Sequence, residues 1–178
     1  PPSRVWMYAY PEVDPSPRVE TSFKLDLRGA GYLPPGTEIE YYYRIRDGDS
    51  SVLDTGLKTF FYVDDRYQWD STTVGPLTIF SHDASDRQLR SMAASVEGPL
   101  RNIGDLLGVK LEQPIRGILY NSQSEARDAF PVQSRTTTER EIFAGYAFPE
   151  RGVFIGVGLH PNLIIHESAH LLLETAVA

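Results

Sequence analysis

Residues 166 to 170 read His-Glu-Ser-Ala-His, two imidazoles four residues apart with a carboxylate beside the first. On a helix, positions four apart lie on one face about a turn from each other, so both rings can reach a single cation. Glu167 stands next to that face, where it can act on a water without being a ligand. That division of labour is what zinc-dependent peptide hydrolysis needs. The ion lowers the pKa of a water towards neutrality and polarises the scissile carbonyl, while the Glu takes and passes on the proton. The spacing nominates His166 and His170 as Zn²⁺ ligands and Glu167 as the general base.

Five letters can also arise by chance on a surface helix. Against that, Leu163, Ile164, Ile165, Ala169, Leu171, Leu172 and Leu173 make the segment apolar almost all round, which describes a buried helix. Burying two His and a Glu there without a partner would be costly. A zinc site also needs a third protein ligand. Glu174 lies eight residues after His166, about 12 Å along a helix at about 1.5 Å per residue, which is too far for one ion. Its expected role is a polar residue on the same helical face. His82 and His160 have no second donor at ligand spacing and read as structural. Tyr146 has two readings, a group approaching a substrate carbonyl and a strand aromatic filling the sheet.

The elements that must carry these residues change character along the chain. In residues 19–27, Val19, Thr21, Phe23, Leu25 and Leu27 alternate with polar residues, the period-2 pattern of a half-buried strand. The alternation returns at Ile39, Tyr41, Tyr43 and Ile45, after a turn at Pro34-Pro35-Gly36. Asp47-Gly48-Asp49-Ser50 supplies hairpin chemistry, and a further strand falls within residues 57–63. With residues 5–10 as the first strand, residues 1–65 read as an antiparallel β-sandwich-like module.

From about Asp64 strands and helices mix, so the expected fold class is α+β with a second part over residues 66–178. It contains a strand at 77–80, then an amphipathic helix over 84–107 that Gly98-Pro99 should kink or break. A strand at 115–120 and a capped short helix from Ser122 to about Phe130 follow. A polar loop over 131–142 leads to strands at 143–148 and 152–157 and to a last helix starting near Pro161 or Asn162.

Composition narrows the partners. The 178 residues carry 24 acidic and 17 basic side chains, net charge -7, without a long single-sign run, so nucleic acid is not an expected partner. There is no cysteine, so a transition-metal site must use His, Asp or Glu. No apolar run reaches the roughly 18 residues that span a bilayer. The chain starts at Pro1 and stops in a helix-like stretch at Ala178, which reads as a piece of a longer protein.

From about Asp65, the order DDRYQW, LTIF, GDLLGVKLEQPIRGILYNSQSEARDAF, GYAFPERGVFIGVG and HESAH resembles bacterial peptidase MA-like proteins of the gluzincin clan. YLPPGTEIEYYYRIRD resembles the turn and following strand of a fibronectin type III or immunoglobulin-like module, which often precedes that domain. The resemblance implies the N-terminal half of a zincin-like domain: a twisted sheet, a backing helix, and an active-site helix carrying His166, His170 and Glu167. It also implies that Ala144, Gly145, Tyr146 and Ala147 lie on an edge strand that binds an extended peptide or protein substrate by strand addition. In these families the third ligand is a Glu on a later helix, in a motif close to NEG, and no such motif follows His170 here. Proteins of this group are commonly exported, so the resemblance implies an extracellular or cell-surface location. A reading from another class is a cell-surface binding or assembly protein that keeps the fold without turnover.

Overall fold

The computed structural model describes residues 6–14, 16–27, 31–109, 114–131 and 144–177. It divides into two units, Pro1–Leu33 and Pro34–Ala178. In the first unit the expected strands do not form among the described residues: 6–10 and 19–27 carry no ladder, and Trp6, Tyr8, Val19 and Phe23 are exposed. Val5 lies outside the described residues. The physical reason is pairing. Period 2 gives a segment an apolar face, but a strand exists only when its backbone groups meet another strand's. Here local bonds take over, with the Thr21 hydroxyl donating to the Glu12 carbonyl at 3.0 Å and the Leu33 N–H to the Leu27 carbonyl at 3.1 Å.

The second unit opens with β1 (Glu38–Tyr41), β2 (Arg44–Arg46), β3 (Val52–Asp54) and β4 (Lys58–Phe61). The single strand expected over 39–45 is thus split between two pairings, β1 with β4 and β2 with β3. Both are antiparallel and belong to one long ribbon. Between the two registers, Tyr42 and Tyr43 face Thr55, Gly56 and Leu57, so one strand carries an extra residue, the arrangement of a β-bulge. The Thr55 hydroxyl closes the gap by accepting from the Tyr43 N–H at 2.8 Å. The hairpin turn sits where Asp47-Gly48-Asp49-Ser50 requires it. The Asp47 carboxylate accepts from the Asp49 and Ser51 N–H groups at 3.0 and 2.9 Å, and Ser50 takes a left-handed φ of 64°.

The main sheet has five strands, β5 (Asp70–Val74), β6 (Leu77–Ser81), β7 (Ile115–Tyr120), β8 (Gly145–Phe148) and β9 (Val153–Val157), in the order β5-β6-β7-β9-β8. The pairs β6/β7 and β7/β9 are parallel, and the outer strands β5 and β8 run antiparallel to their neighbours. Three α-helices are described: α1 (Asp86–Leu107), α2 (Gln123–Ala126) and α3 (Pro161–Val177). The fold is α+β.

The helix α1 starts from a capping box of Ser85 with Gln88 and ends at Gly108 in the left-handed region. Of the kink or break expected at Gly98-Pro99, the break does not occur, and the helix runs on through Pro99. Its apolar stripe of Leu89, Val96 and Leu100 is fully engaged with the core, which outweighs the lost N–H at Pro99. The same core takes Leu77 and Ile79 from β6, Leu119 from β7, Phe154 from β9, and Ile164, Leu171 and Leu172 from α3. Thus α1 and α3 share one face of the sheet.

The other face meets the ribbon. The rings of Phe61 and Phe80 lie 5.3 Å apart, Arg116 pairs with Glu38 at 3.1 Å, and Gly36, at φ 95°, sits against Ile118 and Val153. No sheet crosses the expected boundary near residue 65, yet packing does. Residues 64–69 are pinned to the sheet as well. The Asp64 carboxylate accepts from Arg66 and from the Tyr120 hydroxyl at 3.1 Å, and the Trp69 indole N–H donates to the Asp64 carbonyl at 2.7 Å. Burial, together with Asp64, pushes the Tyr120 hydroxyl up, so it stays a donor.

Candidate metal centre

The helix α3 begins at Pro161, where the missing N–H costs nothing, and the His160 carbonyl accepts from the Ile164 N–H at 3.2 Å. The apolar flanks predicted a helix buried on all sides, but burial is one-sided. Ile164, Glu167, Ser168, Leu171 and Leu172 face inward, whereas His166, His170, Leu173 and Glu174 are exposed. The pattern is physical: α1 and the sheet cover one flank of α3, and the His positions fall on the other. The imidazoles are thus reachable from solvent, while the carboxylate between them in sequence is buried.

His166 and His170 do converge. Their Nε2 atoms are 3.2 Å apart, and the rings stand nearly perpendicular at 87°. As a contact between two imidazoles this distance requires one N–H donor. As two ligands of a tetrahedral zinc, with Zn–N near 2.0–2.1 Å, the nitrogens would stand about 3.3 Å apart. The separation of the two nitrogens thus matches the bite of one Zn²⁺. The donor set suits it too, since imidazole nitrogen is a usual zinc ligand and the chain has no thiols.

Glu167 is 6% exposed. Burial pushes its carboxyl up, while the neighbouring His166 and His170 pull it back down. Its carboxylate lies beside β8, so close to Gly145 that a methyl group there would stand 2.6 Å from Oε1.

The strand β8 is the last in the sheet, paired only with β9 among the described strands. The Val157 N–H donates to the Ala144 carbonyl at 2.7 Å, and Ala144 stands opposite Val157 in the antiparallel register. Antiparallel pairs alternate between bonded and non-bonded. It follows that Tyr146 also turns its backbone to β9, while Gly145 and Ala147 point their N–H and C=O groups outward. The Tyr146 ring lies 4.8 Å from that of Phe148, on the strand face opposite Gly145 and hence away from Glu167. Phe143 and most of the loop expected over 131–142 lie outside the described residues.

Among the described residues no three His, Cys, Asp or Glu side chains form a metal-holding group, and Glu174 is exposed beyond His170. Of the other histidines, His82 is 3% exposed and lies between Asp83 and Glu125, each at 3.1 Å, under the ring of Tyr67 at 4.2 Å. His160 packs its ring on Gly158, which takes φ 84°. Neither faces the pair on α3. The residue that motif reading passes over is Gly145 as a neighbour of Glu167, because a strand glycine carries no signal of what lies across from it.

Ser168 raises a separate point. It is fully buried, and its hydroxyl has no hydrogen-bond partner. A buried hydroxyl that gives up water without replacement costs about 1–3 kcal/mol. Ser168→Ala is therefore expected to raise stability by about 1 kcal/mol, seen as a rise of about 2–4 °C in Tm for a chain of this size. A fall in Tm would show that the hydroxyl is bonded in solution.

No protein-family model matches the chain, nor does any curated protein. The functional reading therefore stands on the geometry of α3 and β8.

Proposed function

We propose that this chain carries the zinc-binding and general-base part of a peptide hydrolase. The observation that carries the reading is the 3.2 Å approach of the two Nε2 atoms with the buried Glu167 between them in sequence. His166 and His170 hold the ion, which supplies Lewis acidity towards a carbonyl and an acidified water. Glu167 accepts the proton that the attacking water loses and delivers it to the departing amine nitrogen. The outward backbone of Gly145 and Ala147 orients an extended peptide by strand addition, with β8 as the template. Ala144 and Tyr146 support that edge from within the sheet.

Residues 66–178 are read as the first half of a zincin-like domain. The backing helix α1, the site helix α3 and the antiparallel edge strand β8 support that reading, and the ribbon of β1 to β4 is read as part of a β-sandwich module. The third zinc ligand is proposed to come from outside the described residues. An extracellular or cell-surface location is proposed with the same family. No described helix is long and apolar enough to cross a membrane.

The full-length protein should hydrolyse an unfolded substrate such as fluorescein-labelled casein, lose that activity to a chelator, and regain it with Zn²⁺. Casein hydrolysis that persists without metal would remove the basis of the proposal.

A further inference from the structure

We propose that Gly145 is a positioning residue for Glu167, and that the absence of a side chain at 145 sets where the carboxylate can lie. This rests on the reading of Glu167 as the general base. The backbone gives no other reason for glycine. Gly145 sits in the regular strand β8, and its φ is not in the left-handed range that favours glycine. Space gives the reason. A methyl group at 145 would stand 2.6 Å from Glu167 Oε1, 2.8 Å from its Cδ and 2.8 Å from Leu163 Cδ1.

Gly156, the residue opposite on β9, repeats the pattern, since a methyl there would stand 2.8 Å from Leu163 Cδ2. Two facing glycines thus form a shallow seat on the α3 side of the sheet, and Glu167 and Leu163 occupy it. The atoms in the way belong to the ends of flexible side chains rather than to backbone. A methyl at 145 would therefore turn the carboxylate aside and leave the strand intact. The outward N–H and C=O of Gly145 belong to the same residue, so this glycine places the base directly under the backbone that meets the substrate.

The test is Gly145→Ala in the full-length protein, with zinc content, casein kinetics and melting read separately. Displacing a reacting group by about 1 Å costs up to about 100-fold, so kcat should fall about 10- to 100-fold. The KM should stay within about twofold and zinc stoichiometry should not change, because neither strand edge nor ligands have moved. A wild-type kcat in Gly145→Ala overturns the proposal and leaves the peptidase reading standing.

Melting of the metal-free protein decides the contact without activity. Gly145→Ala should lower Tm by about 2–4 °C in the wild type and in Glu167→Gln, whose side chain is the same size. In Glu167→Ala the loss should shrink to what the Leu163 contact alone causes, because the carboxyl that the methyl would also meet is gone. An equal loss in all three backgrounds shows that Gly145 does not seat Glu167, and the proposal falls. If no background cleaves casein with zinc bound, the peptidase reading fails and the melting series alone decides whether Gly145 holds the carboxyl.

Discussion

Glu167→Gln should abolish casein hydrolysis by the full-length protein while its zinc stays bound. Gln keeps the size of Glu and fills the same seat against β8, but it cannot take a proton from the attacking water. The loss belongs in the chemical step, at about 10²- to 10⁴-fold in kcat, the usual worth of general acid–base catalysis. Because Glu167 is 6% exposed, its replacement by a neutral group of equal size also removes a carboxyl that burial holds in an unfavourable setting. The variant should consequently fold at least as well as the wild type in metal-free form. Near-normal turnover in Glu167→Gln would mean that another group is the base. A zinc-loaded parent that cleaves no peptide would favour a binding or assembly protein that keeps the fold without chemistry.

His166→Ala and His170→Ala should each lose metal and activity together, the opposite separation from Glu167→Gln. Removing one of two converging imidazoles breaks the 3.2 Å bite. The loss in affinity should exceed the roughly 10- to 100-fold that changes beyond the ligands cost. Both rings are exposed and outside the core, so the metal-free melting of these variants should match the wild type. Metal analysis after dialysis and a melting curve on the same sample check both halves. Retained zinc with lost activity would place the two histidines in the chemistry rather than in the metal site.

Much of the second unit is legible from the residues. Strand β7 occupies the expected residues 115–120, because a central parallel strand is buried on both faces and reads as an apolar run. The start of α3 at Pro161 is legible because proline and the preceding turn are local signals. What fails is set by distant partners. The alternation at 19–27 matches a strand, yet no strand forms there, since sequence cannot say whether a partner stands beside it. Strand β5 is the reverse case. Asp70-Ser71-Thr72-Thr73-Val74 shows no apolar alternation and is a strand because it pairs with β6 at the sheet edge.

The site divides in the same way. The two imidazoles and the carboxylate were visible because their spacing is local to one helix. Which side of α3 would be covered was not, since apolar residues lie almost all round Leu163 to Leu173 and the packing of α1 and the sheet decides it. The approach of Gly145 to Glu167 joins residues 22 positions apart on different elements, and no local pattern reports it.

Zinc uptake by this chain tests the central claim most directly. Metal-free protein would be dialysed to equilibrium against Zn²⁺, beside the double variant His166→Ala/His170→Ala. With two described imidazoles as ligands, the wild type should take up one Zn²⁺ per chain, readily stripped by a chelator, and the double variant should take up none above background. Uptake that is unchanged in the double variant, or absent from the wild type, would contradict a metal centre at His166 and His170.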